Sequence, residues 1–369
     1  MSIETDLKKD GIEVTSELDT LKVNSIAKNI AQKLVKNFPE MKFNLGELFI
    51  RLSRIHMYTA KVQKGLSEAN YFYKNTSIYF NENIDFNKVD NFAMHECIHY
   101  LQERKDKKGY LMRLGLCDLT QFKVYGLGIN EAAVQLATAK ATEVAKEEVK
   151  YYGIDFETNS PSCYPLECNL INQMAYITGE NVLFDSVFNS NDNFKNTFIE
   201  LTSEKAFYDI QNNFDKILYA EEDLIKLSNK LEITDENSSN IKNINLKISK
   251  LKDFIAITFL QTQDLIISSY FDTAFSRIST LEEVENYRRK LYNYRNLIGV
   301  TDTYTFFNNY YIDMMSRLEN KYNLLESGQE IENSSTYITV VKHNKIFELF
   351  RAIKNFLFKS GDEYKKVDD

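Results

Sequence analysis

Glycine and proline are scarce in this chain, 12 and 3 of its 369 residues. The two together make up about 4% of the positions, against roughly 12% in an average chain. Sandwiches, barrels and propellers need a turn residue about every 8–12 positions, so the scarcity excludes an all-β fold. Basic residues are outnumbered, 45 against 53 acids, for a net charge of −8. Nothing here neutralises a phosphate backbone by bulk charge, and nucleic acid is not an expected partner. Long apolar runs are missing as well. The most apolar stretch of the second half, Phe254 to Phe271, is interrupted by Gln261, Gln263 and Asp264, so no membrane span is expected. Residues 1–20 are polar and acidic and lack the apolar core of a signal peptide. A cytoplasmic location is the default, with export by another route left open. In that setting the four cysteines (Cys97, Cys117, Cys163, Cys168) are expected as free thiols. Cys163 and Cys168, in a proline-containing loop, are the pair spaced to bridge or to bind metal.

What is present is a chain rich enough in apolar residues (43%) to fold, and long enough for more than one packed unit. All three prolines and nine of the glycines precede residue 180, so departures from helix are expected in that half. Leu21, Val23, Ile26, Ile30, Leu34 and Val35 recur at helical spacing before Pro39, and Asn44 with Glu47 resembles a capping box for a short helix after it. The period then changes. His56–Gln63, Asn70–Tyr73 and Ser77–Ile84 read as strands, the last two as a hairpin. A helix follows, capped by Asn87, with Val89, Ala93, Met94, Cys97, Ile98 and Leu101 on its apolar side. A second helix is expected from about Asn130 to Lys150, rich in Ala and Glu.

From about residue 200 the pattern is helical throughout. Ile210, Ile217, Leu224 and Leu231 recur every seven residues. Ile244, Ile248, Leu251 and Ile255 share the spacing of a coiled-coil seam, and the polar stretch ITDENSSN between the two sets predicts an antiparallel helical hairpin. Capping boxes at Ser279/Glu282 and Thr280/Glu283 open a further helix. A short strand over 337–341 and an amphipathic helix over 346–358 close the chain. The expected organisation is an N-terminal helical segment (1–40), a domain that holds the strands and the two helices after them (41–200) and a helical domain (201–369) that offers a surface to a protein partner. The fold class is α+β and predominantly helical.

Two of the four histidines fall within one five-residue string, His95-Glu96-Cys97-Ile98-His99. Positions i and i+4 face one side of a helix, so both imidazoles reach one metal ion. Glu96 projects beside them, where a carboxylate takes a proton from a water held by the metal. With 4 His and 31 Glu in 369 positions, chance supplies only about 0.004 such strings. A catalytic zinc wants three protein ligands and one open position. Neither His56 nor His343 lies close downstream, so the third ligand is expected to be an acid on the neighbouring helix. Glu131 opens that helix and is preferred to Glu103 and Asp118.

HECIH on a helix, followed by Gly128-Ile129-Asn130-Glu131-Ala132 at the start of the next, resembles the zincin metallopeptidases, and among them the glutamate-ligand branch (gluzincins) typified by thermolysin. The likeness covers roughly residues 45–150. It implies a zincin-like domain in which His95, His99 and Glu131 hold Zn²⁺ and Glu96 is general base and later proton donor. It also implies that Ser77–Ile84 is the edge strand on which an extended peptide substrate lies. Several gluzincins place a tyrosine ahead of the third ligand, which makes Tyr125 the expected oxyanion donor, with Tyr164 as the alternative. The family commonly has an acid four residues after the third ligand; here Gln135 stands there, able to accept a hydrogen bond from imidazole but uncharged. The interval between His99 and Glu131 is also longer than in thermolysin-like enzymes. The function these residues imply is zinc-dependent hydrolysis of peptide bonds. A catalytically inactive binding or scaffolding protein on the same fold is the alternative.

Overall fold

The computed structural model describes residues 3–9, 11–62, 68–85, 89–119, 124–234, 240–298 and 305–327. After α1 (Ile3–Lys9) comes β1 (Ile12–Glu17), a strand with one buried residue in six. Nothing in its polar sequence suggests it, because tertiary pairing with a neighbour, not its own apolar content, holds it in place. The next helix, α2 (Thr20–Asn37), is capped by Asp19, whose carboxylate accepts from the Lys22 N–H, and it ends before Pro39. Asn44 caps α3 (Leu45–Leu52) by accepting from the Glu47 N–H.

Strands β2 (His56–Val62), β3 (Ala69–Phe72) and β4 (Ser77–Asn81) complete a mixed four-stranded sheet of order β1-β2-β4-β3. β3 and β4 form the expected hairpin, and β4 runs parallel to β2 with His56 opposite Ser77. This order corrects the expected role of Ser77–Ile84. β4 is hydrogen-bonded on both sides and almost wholly buried, so no peptide can add to it. The edge beside the next helix is β3.

That helix, α4 (Val89–Gln102), is buried over most of its length, His95, Glu96, His99 and Gln102 included. Asn87, its expected cap, lies outside the described residues. Two short ribbons connect α4 to the next helix: β5 (Glu103–Lys105) with β6 (Leu111–Leu114), and β7 (Asp118–Leu119) with β8 (Val124–Tyr125). α5 spans Leu127–Ala141 and not the expected 130–150. The Ala-rich segment stops at Thr142, and Glu143 turns with φ 56°. Residues after it alternate around Tyr152-Gly153, both at positive φ, the two-residue turn that suits a tight hairpin. The result is β9 (Glu147–Tyr151) paired with β10 (Ile154–Thr158).

Helices α6 (Pro165–Thr178), α7 (Glu180–Asn189) and α8 (Asn193–Leu201) follow, then α9 (Glu204–Glu232) and α10 (Asn240–Ser276). α9 and α10 pack along each other and are joined by only seven residues. Seven residues span at most about 25 Å, whereas α9 is about 43 Å long, so the pair must be antiparallel. α11 (Leu281–Ile298) opens on a reciprocal Thr280/Glu283 capping box. α12 (Thr305–Glu326) is the last described helix. The strand and helix expected beyond 337 lie outside the described residues.

The protein is α+β and predominantly helical with a small mixed sheet. Residues 1–322 form one compact unit and 323–369 a second. Among the described residues no helix is long and apolar enough to cross a membrane. All four cysteines are free thiols.

Candidate metal centre

Glu131 is brought to the histidines by a close backbone approach. Gly126 (φ 75°) turns the chain into α5, and its N–H and that of Gly128 both donate to the Asp215 carboxylate on α9, at 2.9 and 2.8 Å. A Cβ on Gly128 would lie 2.5 Å from the Phe214 backbone, so only glycine lets α9 seat against the first turn of α5. Glu131 then points across to α4.

Its Oε2 lies 3.2 Å from His95 Nε2 and 3.3 Å from His99 Nε2, and the two Nε2 atoms are 3.0 Å apart. Tetrahedral Zn²⁺ with donors at about 2.0–2.2 Å spaces those donors about 3.3–3.5 Å from one another. The three atoms therefore converge as ligands of one ion would, and this is the group of three metal-ligating side chains found among the described residues.

The hydrogen bonds behind the histidines fix which nitrogen faces the ion. Ser160 Oγ donates to the Cys163 carbonyl, so it must accept from Gln135 Nε2, at 2.9 Å. That leaves Gln135 Oε1 facing His95 Nδ1 at 2.7 Å, an acceptor that requires Nδ1–H. A separate chain serves His99. The Leu116 backbone N–H donates to Asn130 Oδ1 at 3.0 Å, and Gln102 Nε2 donates to the same oxygen at 3.0 Å. Gln102 Oε1 is thereby turned to His99 Nδ1, at 3.3 Å. Both imidazoles carry a proton on Nδ1, which leaves Nε2 facing inward. Two Nε2 atoms and a carboxylate oxygen at these separations repel unless a proton or a metal ion lies among them. The donor set fits a metal ion.

Glu96 lies in the same buried shell and is not one of the three converging ligands. Its Oε2 accepts from the Tyr71 N–H of β3 at 2.8 Å. Burial pushes its carboxyl up to about 7; the His95 ring opposes this, and Glu131 adds to it. Burial also raises Glu131, but His99 and His95 outweigh it and hold that carboxyl far below the usual range.

The rivals to Glu131 are engaged elsewhere. Glu103 accepts from Tyr71 Oη at 2.9 Å and pairs with Lys105 at 2.6 Å, and Asp118 pairs with Lys195 at 3.2 Å. Of the two tyrosines, Tyr125 is 43% exposed on β8, whereas the Tyr164 ring lies 6.1 Å from that of His95. Tyr164 also sits at φ 48°, an uncommon conformation for a bulky residue, directly before α6. Burial drives its phenol well above the ordinary value, so it remains an O–H donor.

Sequence reasoning missed Gln102, Ser160 and Tyr71. Gln102 could have been found one helical turn beyond His99, where a side chain able to orient the ring belongs. Ser160 and Tyr71 come from distant segments and left no local signal. Fold and site together define an α+β protein with a His-His-Glu group able to hold a metal ion. No family model, no curated protein and no solved structure matches this chain.

Proposed function

We propose that the chain is a zinc-dependent metallopeptidase built on a zincin-like arrangement, with His95, His99 and Glu131 as the ligands. Zn²⁺ held by these three side chains would supply a Lewis acid for the carbonyl and would lower the pKa of a water towards about 7. Glu96 takes the proton from the attacking water and delivers it to the leaving amine, a role its place beside the three converging side chains suits. The Tyr71 N–H holds one oxygen of Glu96, which fixes the other for proton transfer. Tyr164 donates its O–H to the carbonyl oxygen as charge develops there, taking the part expected of Tyr125. An extended peptide lies along β3, the exposed edge beside α4.

The observation that carries this reading is Glu96: a buried acid, beside three converging side chains able to hold a metal, tethered by the backbone of an edge strand. A purely structural metal site needs no such fourth acid. The test compares zinc-loaded wild type with Glu96→Gln on a diverse peptide library. The variant is expected to keep its zinc and lose about 10²–10⁴-fold in cleavage rate. Equal cleavage by both proteins, or none by either, would remove the peptidase reading and leave a metal-binding scaffold.

A further inference from the structure

A groove of about 300 Å³ lies where α10, α11 and the end of α8 meet, formed by residues that the metal centre does not use. Its floor is Leu201, Phe271, Ala274, Ile278 and Tyr287, and Phe271, Ile278 and Tyr287 are buried. Tyr287 Oη donates to the Phe271 carbonyl at 3.0 Å, which holds the two rings edge to face with centroids 5.6 Å apart. Ala274 stands one turn along α10 from Tyr270, and its small side chain leaves the space open. The volume is at the lower end of small-ligand pockets, roughly 300–1,000 Å³, and such pockets are mostly apolar with a few placed polar groups.

The placed polar groups here are cations. Arg277 and Lys290 line the groove, and among the described residues neither has a carboxylate partner. Lys290, half-buried, holds its Nζ 4.5 Å from the centre of the Tyr270 ring, and the Ile177 carbonyl is 3.5 Å from it. Arg277, exposed, has the Glu200 carbonyl 3.5 Å from its Nη2. Both contacts are at the long limit of a hydrogen bond. The acid of the groove is Glu283, and it is engaged: its Oε2 accepts from the Ser279 N–H and hydroxyl and from the Thr280 N–H, at 2.7, 2.9 and 3.0 Å. Lys321 also feels its charge. Two cations without a counter-charge therefore stand over an apolar floor.

We propose that this groove binds a small organic anion, a carboxylate on an aryl or short alkyl body, with the body on the floor and the carboxylate paired with Lys290. The two features of the groove select this class together. An inorganic anion would leave the apolar floor in water, and an uncharged apolar molecule would leave the Lys290 ammonium without a counter-charge. A carboxylate accepts from that ammonium in a charge-assisted hydrogen bond, stronger at a half-buried position than in open water. Arg277, at the exposed side, adds attraction for an approaching anion. The groove shares no residue with the metal centre, so it stands or falls apart from the peptidase reading.

The probe is 4-phenylbutyrate, set against its uncharged analogue 4-phenylbutanol. Each is titrated into the full chain and followed by saturation-transfer NMR. Saturable binding of the carboxylate is expected with a Kd of about 1 mM or tighter. It should exceed that of the alcohol by about 10–100-fold, the range for a hydrogen bond to a charged group. Lys290→Gln should remove the difference between the probes. Ala274→Phe, which fills the floor, should abolish binding of both, with circular dichroism confirming that each variant is folded. Equal affinity for the two probes, a preference that survives Lys290→Gln, or undiminished binding by Ala274→Phe would each overturn the site. So would the absence of saturation by the carboxylate up to about 10 mM. If Ala274→Phe does not fold, the Lys290→Gln comparison decides alone.

Discussion

The helix pair α4/α5 and the helix pair α9/α10 are built on opposite rules. In α4, ten of fourteen residues are buried, and in α5 eleven of fifteen. Helices this enclosed have no polar side to give to water, so every polar residue they carry must find a partner inside. His95, Glu96, His99, Gln102 and Asn130 all do. By contrast α9 buries nine of 29 residues and α10 ten of 37, and most of their charges face solvent. The difference teaches where to look for chemistry. A buried polar residue in the first pair is costly and is retained for a reason. Most charged residues in the second pair are ordinary exposed side chains; Asp215, which anchors the start of α5, and Glu221 are exceptions.

The largest break in this comparison is Glu131→Ala. It removes a ligand and leaves two inward-facing imidazoles, so zinc affinity should fall by more than the 10–100-fold that loss of a supporting hydrogen bond typically costs. Competition with a chromophoric chelator would measure it, and unchanged affinity would show that Glu131 is not a ligand. Next comes Asn130→Ala, which takes the acceptor from both the Leu116 N–H and Gln102 Nε2. We expect about 1–3 kcal/mol of lost stability in urea and about 10–100-fold weaker zinc binding. A stability loss with zinc affinity unchanged would separate Asn130 from the His99 tautomer.

The buried acid pair of Glu167 on α6 and Glu221 on α9 gives a pH dependence of defined sign. Burial raises Glu221 to about 7 from its ordinary 4.5, and Glu167 moves in the same direction. The folded protein therefore holds protons that the unfolded chain releases. Stability from the pair is complete below about 4.5 and is lost as pH rises towards about 7. In chelator-treated protein, wild type should lose on the order of 3 kcal/mol more than Glu221→Gln between pH 4.5 and pH 8. Parallel pH profiles would show that the pair stays ionised in the native state. The smallest effect belongs to the outer part of α9/α10. Leu246 is 54% exposed there, and Leu246→Ala should change stability by no more than about 0.5 kcal/mol.

How much of this could be read from sequence follows from the same contrast. The α9/α10 hairpin was legible because its apolar seam is amphipathic, and Ile210, Ile217 and Leu224 are buried as the heptad spacing requires. The Thr280/Glu283 cap was legible because it is local. The three converging side chains could be placed because HExxH marks one helix and Glu131 lies near the start of the next. The edge strand could not. Ser77–Asn81 and Ala69–Phe72 are both short and apolar, and only the parallel pairing of β2 with β4 makes β3 the edge. β1 and the β9/β10 hairpin escaped because pairing, rather than composition, holds their polar residues in strands. Gln135 was expected as an imidazole partner from the resemblance to the gluzincins, and it lies 2.7 Å from His95. Ser160, which orients Gln135, has no sequence relation to either.

The most direct test is elemental analysis of the full chain purified without chelator, run beside the double variant His95→Ala/Glu131→Ala. One zinc ion per wild-type chain and none in the variant is the expected result. Wild-type protein without stoichiometric metal, or zinc retained equally by the variant, would contradict the metal centre on which the proposed chemistry depends.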